Sequence, residues 1–373
     1  MNELLLASFN EILSYALYIL IAILVLLVMI TVHELGHYIA GKILGFGIEE
    51  FSIGFGPKIY SKQKKNGEIF SVRLLPLGGF CAFKGEDKED EDESAFNNKK
   101  PWQRIIVLVS GALMNYLTAV LVIALMFGIY GQSAIMTYKM QENVIGIEQT
   151  FEERDIIVKA EGKNVYLLTD LMEVLDGKKE GEEVDFSIIR DGKRQNVKIV
   201  MLKDTTFSSV EDVKTLCNAL GIPMEINAET GEILSTGFRT TGVRLGFFAT
   251  IGRTFEYSFK LAGTVFTVLG QLLTGALGLG SVGGTVTTIS VTAGAIKTGG
   301  LWSLLNIMAL IGVNLAVFNL LPVPALDGSR VVFTAIEWVR KKPINRRIEG
   351  IIHTVGLILI FLFAIIVDLN HCF

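Results

Sequence analysis

A long apolar run near the start of the chain ends in a cluster of ionisable residues, and this combination limits the possible folds strongly. From residue 12 to 32 the only polar residues are one serine, one threonine and two tyrosines. Such a run predicts a membrane-crossing helix over about residues 13–41. His33-Glu34-Leu35-Gly36-His37 stands at its end. In a helix the two histidines lie one turn apart and can bind one metal ion, with Glu34 beside them to take a proton from water. Ionisable residues at membrane depth usually mark function.

A second polar motif lies far downstream. Asn319-Leu320-Leu321-Pro322-Val323-Pro324-Ala325-Leu326-Asp327-Gly328 follows another apolar run, residues 304–321. Its prolines end or bend a helix, so Asp327 is expected close to the apolar run. Catalytic zinc takes three protein ligands and leaves one position for water. His33 and His37 supply two, and Asp327 is the natural third. Taken alone, the same stretch is also typical of a helix-ending turn with a capping Asp.

The two motifs together resemble the site-2 protease family of intramembrane zinc metalloproteases, and most closely its bacterial branch in regulated intramembrane proteolysis. Residues 319–328 fit the family pattern N-x-x-P-x-P-x-L-D-G, and residues 51–57 and 111–115 are further matches. The resemblance covers nearly the whole chain and is weakest at about 200–245. It implies zinc as the cofactor, with these roles: His33, His37 and Asp327 as zinc ligands, Glu34 as general base, and Asn319 as a residue that holds substrate or the oxyanion.

The composition supports a membrane protein with a soluble part. Half of the 373 residues are hydrophobic and the mean hydropathy is +0.48, which agrees with several apolar runs. The net charge of −4 argues against a nucleic-acid partner. The three cysteines are scattered, so they predict neither a disulfide framework nor a cysteine-based zinc site. The expected partner from composition is therefore the lipid bilayer. The resemblance implies single-span membrane protein substrates, and the oligomeric state stays open.

We expect a polytopic α-helical membrane protein with about four transmembrane helices, a membrane-associated β-hairpin and one extracytoplasmic PDZ-like α+β domain. The expected segments are a first transmembrane helix (1–41), a cytosolic or membrane-associated hairpin loop (42–103), a second transmembrane helix (104–130), the PDZ-like domain with an extension (131–245), an amphipathic helix with a Gly-rich segment (246–300), a third transmembrane helix with its motif (301–328), and a basic cytosolic loop with a fourth transmembrane helix (329–373).

Charge bias gives the expected orientation. No Lys or Arg precedes the first span, and Lys42 opens a basic loop, so the N-terminus should face outward across a bacterial cytoplasmic (inner) membrane. A basic cluster follows Asp327 and agrees with a cytosolic position. Residues 246–273 carry three charged residues and predict an amphipathic helix at the outer surface. A full span there would place Asp327 on the side opposite the histidines.

The loop after the first span contains a predicted hairpin and an acidic stretch. Residues 47–60 and 68–83 predict strands joined at Asn66-Gly67. In the family that the chain resembles, a hairpin here binds substrate as an added strand, although an ordinary cytosolic hairpin fits the same pattern. Glu86–Glu93 is acidic and predicts a solvated loop without a metal.

Residues 140–205 predict a small soluble domain. The expected elements are strands at 143–148 and 155–160, a helix at 167–175, and a closing hairpin around Asp191-Gly192. This order resembles one circularly permuted PDZ domain, with Arg154 where the family commonly has Gly. A peptide receptor and a steric filter both fit, and residues 202–245 have no assignment.

Two polar residues in other spans have open roles. Gly111 predicts a helix-packing face on the second span, whereas Asn115 either packs there or lines the active-site cavity. His353 opens the last span and is expected to pack or to support the metal site.

From these features we expect an intramembrane zinc endopeptidase that cuts transmembrane segments of single-span proteins already shortened outside. The resemblance implies substrates of the anti-sigma-factor type or signal-peptide remnants. One alternative is a membrane-anchored peptide-binding protein with a structural metal site, which a fourth protein ligand would favour. Another is a membrane metallohydrolase that acts on lipid or small amides.

Overall fold

The computed structural model describes residues 2–86, 90–138, 151–207, 212–226, 233–244, 246–275 and 283–372. The helices are α1 Asn2–Ile43, α2 Pro101–Tyr130, α3 Leu168–Leu175, α4 Val213–Leu220, α5 Phe247–Thr274, α6 Thr285–Leu320, α7 Asp327–Arg340 and α8 Arg346–Cys372. The strands are β1 Ile48–Gln63, β2 Ile69–Phe83, β3 Gln132–Thr137, β4 Ile156–Ala160, β5 Lys163–Asn164, β6 Glu183–Arg190, β7 Lys193–Val200, β8 Met224–Ile226, β9 Ile233–Thr236 and β10 Phe238–Val243. The chain divides into two compact units, unit 1 (Met1–Leu125 with Thr254–Phe373) and unit 2 (Met126–Arg253).

Among the described residues, four helices are long and apolar enough to cross a membrane. They are Glu11–Ile43, Pro101–Tyr130, Val286–Leu320 and Arg347–Leu369. Large apolar side chains such as Leu17, Leu121 and Leu359 are at least half exposed on these helices. Exposed apolar faces of this kind are suited to contact with lipid acyl chains. A helix can lie in lipid because its backbone polar groups bond to one another. The number of helices able to cross a membrane agrees with the expected four.

α6 contains a break at the expected start of the third span. It starts at Thr285, but its backbone is non-helical at Gly300 (φ 57°, ψ −140°), so one helical stretch precedes the expected span and a second one covers it. The Asp368 carboxylate accepts hydrogen bonds from the backbone N–H groups of Val286 and Thr287, both at 3.1 Å. This carboxylate on α8 caps the first turn of α6, a tertiary contact between segments that lie far apart in the sequence.

The basic segment after Asp327, expected as the loop between two membrane spans, contains the helix α7. Glu337 lies on the buried face of α7, and its carboxylate is 2.6 Å from Arg104 Nη2 on α2. The side chains of both residues are 5% exposed. A buried ion pair of this kind is a tertiary contact, and it fixes α7 although the segment reads as a polar, basic loop.

The two expected hairpin strands are confirmed as β1 and β2, which pair antiparallel around Asn66-Gly67. Burial alone would raise the pKa of Glu50 on β1. Hydrogen bonds from Ser71, Arg73 and Lys58 outweigh this effect and lower its pKa to about 2. The hairpin thus contains a hydrogen-bonded charge cluster and packs against α1.

Unit 2 is built on an antiparallel sheet in the order β10-β3-β4-β6-β7, with β5 beside β4. The expected helix at 167–175 and the hairpin at Asp191-Gly192 are confirmed as α3 and as β6 with β7. The strand predicted at 143–148 lies outside the described residues. Arg190 donates to both carboxylate oxygens of Asp155, at 2.8 and 2.6 Å. Arg154 has a φ of 72°, a conformation that favours Gly, which explains why the resembling family commonly carries Gly there.

The predicted helix over 246–273 is confirmed as α5. Phe247, Phe248 and Phe259 are more than 60% exposed, whereas Tyr257 and Ser258 are buried. Within unit 1, the Ser258 and Tyr116 hydroxyl groups are hydrogen-bonded at 2.8 Å. One face of α5 therefore packs on unit 1 and the other presents aromatic rings.

Candidate metal centre

His33, His37 and Asp327 come together in unit 1. His33 Nε2 lies 2.9 Å from Asp327 Oδ2 and 3.1 Å from His37 Nε2, and His37 Nε2 lies 3.3 Å from the same oxygen. Each histidine is 7% exposed. Within the described part of the chain, these three form the group of His, Cys, Asp or Glu residues whose ligand atoms lie close enough, within 4.8 Å, to hold a metal ion.

Close packing of α1 against α2 positions the two histidines. A Cβ atom placed on Gly111 of α2 would lie against His37 Nε2, 2.7 Å from His37 Cε1 and 2.8 Å from His33 Cε1. A Cβ placed on Gly36 of α1 would meet the backbone of Ser110, with Gly111 Cα at 2.9 Å. Only glycine allows backbones to approach this closely. The predicted packing role of Gly111 is confirmed, and Gly111 also leaves room for the imidazole rings.

A tight turn delivers Asp327 to the histidines. α6 ends at Leu320, and the backbone N–H of Leu326 donates to the Val323 carbonyl at 3.1 Å before α7 starts at Asp327. A side chain at Gly328 would collide with the backbone carbonyl groups at the end of α6. The Asp327 carboxylate thus lies in the first turn of a helix, where the helix dipole favours negative charge.

α8 supports this turn from the other side. Ala325 has a φ of 78°, and its backbone N–H donates to His353 Nδ1 at 3.1 Å. Gly356 lies against Pro324, since a Cβ there would be 2.8 Å from the Pro324 carbonyl carbon. His353 therefore holds the backbone two residues before Asp327, so it supports the site and is more than an interfacial residue.

Each histidine has a partner for its second ring nitrogen. His37 Nδ1 donates to the Val107 carbonyl oxygen at 2.8 Å. His33 Nδ1 lies 3.4 Å from Asn115 Nδ2, and Asn115 is fully buried. The sequence left the role of Asn115 open, and a backbone carbonyl such as that of Val107 carries no signal in a sequence.

Glu34 lines a cavity of about 300 Å³ that also includes His37 and Asp327. The backbone of Cys81 on β2 hydrogen-bonds to the Glu34 carboxylate. Asn319 does not line this cavity, and it lies half-buried in the last turn of α6. Of the five residues singled out from the sequence, Glu34, His37 and Asp327 line this cavity, and His33 contacts the last two of them.

A second polar cavity of about 310 Å³ adjoins the first. Both are lined by Glu86 and Arg330, whose side chains form an ion pair. The second cavity is further lined by Arg104 and His353. The two cavities provide polar space for water next to the carboxylate of Glu34.

The donor set fits zinc. Two imidazole nitrogens and one carboxylate oxygen are typical ligands of a catalytic zinc, and their ligand atoms lie near one point. A structural zinc site has four protein ligands, and the group in the described residues has three. The arrangement therefore matches an open site with a position left for water.

Comparisons with known proteins agree with this geometry. A family model described as "Peptidase family M50" matches residues 21–363. A protein named "Putative zinc metalloprotease" from Fusobacterium nucleatum is 30% identical over 362 residues, which cover 94% of this chain and 97% of that protein. A protein of the same name from Clostridium perfringens is 32% identical, with coverages of 95% and 98%. Zinc metalloprotease RasP from Bacillus licheniformis is 27% identical, with coverages of 91% and 94%.

Proposed function

Because the chain belongs to peptidase family M50, the site-2 protease family of zinc metalloproteases, we propose that it cleaves peptide bonds within membranes at a zinc ion held by His33, His37 and Asp327. The observation that carries this proposal is the meeting of three ligand atoms from opposite ends of the chain, within 4.8 Å of one another. Cofactor and enzyme class follow from the family. The ligand set rests on this geometry.

In the proposed mechanism the metal ion and the residues of the chain have separate chemical roles. When bound, zinc supplies a Lewis acid that polarises the scissile carbonyl and acidifies water. Glu34 follows His33 directly and lines the same cavity as His37 and Asp327, so it is placed to take the proton from the attacking water. After the C–N bond breaks, Glu34 returns this proton to the leaving amine. The Val107 carbonyl holds the His37 ring in one orientation throughout.

Asn319 is proposed to donate a hydrogen bond to the substrate or to the developing oxyanion. Its position in the last turn of α6, immediately before the turn that carries Asp327, supports this role. It is not among the three residues proposed to hold the metal.

The proposed substrates are transmembrane segments of single-span proteins, such as trimmed anti-sigma-factor-type proteins or signal-peptide remnants. A helix shields its own carbonyl groups, so a substrate must unwind and find new backbone partners. The hairpin of β1 and β2 passes beside the base: a Cβ on Gly79 would lie 3.5 Å from Glu34 Cγ and 2.9 Å from the Ser52 carbonyl oxygen. A substrate strand that adds to this hairpin would be delivered to Glu34.

The proposed topology places both motifs near the cytosolic side of a bacterial inner membrane, with the N-terminus outside. Unit 2 is then an extracytoplasmic PDZ-like domain, and the aromatic face of α5 lies in the membrane interface. The proposed division keeps the sequence-based segments. A helical stretch from Thr285 precedes the kink at Gly300, and α7 lies in the basic segment after the third membrane helix.

The test is cleavage of a tagged single-span substrate in detergent by the purified wild type and by Glu34→Gln, with bound zinc quantified in both. We expect the variant to retain zinc and to lose cleavage, because the amide cannot accept the proton. Glu11→Gln makes the same chemical change at an exposed position of the same helix and should cleave normally. Full activity of Glu34→Gln would contradict the assignment. A fourth protein ligand at the zinc, found by X-ray absorption, would favour the peptide-binding alternative.

A further inference from the structure

Asn115 is a fully buried amide in the middle of a membrane-crossing helix. It is 0% exposed, its Nδ2 lies 3.4 Å from His33 Nδ1, and its buried Oδ1 has no hydrogen-bond partner among the residues that the structure describes. An unpaired buried amide oxygen is costly, so such a residue requires an explanation. A leucine would fill the same space without that cost.

The chemistry of His33 supplies the explanation. Its Nε2 points to His37 and Asp327, toward the place that a metal would share with them. A neutral imidazole that binds metal through Nε2 carries its proton on Nδ1, and this proton needs an acceptor. His37 meets the requirement with the Val107 carbonyl oxygen. For His33, the group that the described residues place beside Nδ1 is the Asn115 amide.

We infer that Asn115 is a positioning residue that sets the tautomer and ring orientation of His33 for metal binding, an inference that rests on the proposed ligand set. The oxygen and nitrogen of an amide are nearly equal in size, and the hydrogen bonds decide which of them faces a partner. Rotation of the amide by half a turn brings Oδ1 to His33 Nδ1. The oxygen then accepts the Nδ1 proton and Nε2 keeps its lone pair for the metal.

The position of Asn115 on α2 supports this role. Gly111 lies four residues before it, on the same face of the helix, and leaves the space that the two imidazole rings occupy. On this face of α2, Gly111 therefore provides room for the rings, and Asn115, one turn further along, provides a hydrogen-bonding group. Packing alone would explain the glycine but not the amide.

The test measures the zinc affinity of the purified full chain by competition with a chelator, in the wild type, Asn115→Leu and Asn115→Asp. Thr118→Val, an isosteric loss of a polar group on the same helix, is the matched control, and His33→Ala is the reference for a lost ligand. We expect Asn115→Leu to bind zinc about 10–100-fold more weakly, the usual effect of losing such a partner. Asn115→Asp should recover most of the affinity, because a carboxylate oxygen still accepts the proton. Thr118→Val should match the wild type.

Each outcome decides between explanations. Wild-type affinity in Asn115→Leu, or equal weakness in the Leu and Asp variants, would overturn the positioning role and leave Asn115 as a packing residue. Wild-type affinity in His33→Ala would instead overturn the ligand set itself. If leucine prevents folding, as judged by elution volume, Asn115→Ala takes its place and the comparison with Asn115→Asp stands.

Discussion

Replacing Gly111 by Ala should disrupt the metal centre without disturbing the rest of the fold. The new Cβ would lie 2.7 Å from His37 Cε1 and 2.8 Å from His33 Cε1. An ordinary contact begins near 3.4 Å, so both rings must move by at least roughly 0.6–0.7 Å, and the His37 ring by more because its Nε2 lies still closer to the new Cβ. Zinc ligand distances are held to within about 0.2 Å. A shift of this size in two of three ligands should lower zinc affinity by at least about 100-fold, more than the loss of one supporting hydrogen bond.

Zinc affinity by chelator competition and cleavage of a single-span substrate would measure this effect. Gly128→Ala is the matched control, because it makes the same change in the same helix where a Cβ would meet nothing within 4 Å. Since alanine favours helix more than glycine does, neither variant should lose helical stability. Wild-type zinc affinity in Gly111→Ala would refute the idea that the close approach of α2 shapes the site.

Three further predictions concern stability. Arg104→Met should destabilise the protein by about 3–5 kcal/mol in denaturant unfolding, because it leaves the Glu337 carboxylate buried and unpaired, and adding Glu337→Leu should recover most of the loss. Asp368→Ala removes the cap of α6 and should cost about 0.5–2 kcal/mol, with faster amide hydrogen exchange in the first turn of that helix. Glu50 has a pKa of about 2 against an ordinary 4.5. Its contribution to the free energy of unfolding, about 3 kcal/mol, is therefore complete above pH 4.5 and is lost as the pH falls toward 2. In Glu50→Gln the thermal unfolding midpoint should vary less over this pH range.

The residues of the proposed metal centre could be singled out because their chemistry is visible in short motifs, and the structure brings His33, His37 and Asp327 together. Two histidines at a spacing of four define one helix face, and few residues other than Asp327 in or near the apolar runs can supply a third ligand. The helical stretch of α6 before Gly300 and the helix α7 are not evident from the sequence. They depend on Asp368 and Glu337, whose partners lie in other helices far along the chain. Local propensity carries no information about such contacts.

The support of the metal centre illustrates a different limit. His353 and Asn115 read as ordinary polar residues in apolar helices, and each acquires a role only when another helix places a partner against it. One sequence signal for this support does exist on α2, where Gly111 and Asn115 stand four residues apart. In an apolar span this pair indicates a close approach followed by a polar contact on one face. When the chain also contains a metal-binding helix, the polar contact is best explained as a partner for a ligand, since a membrane interior offers it no water.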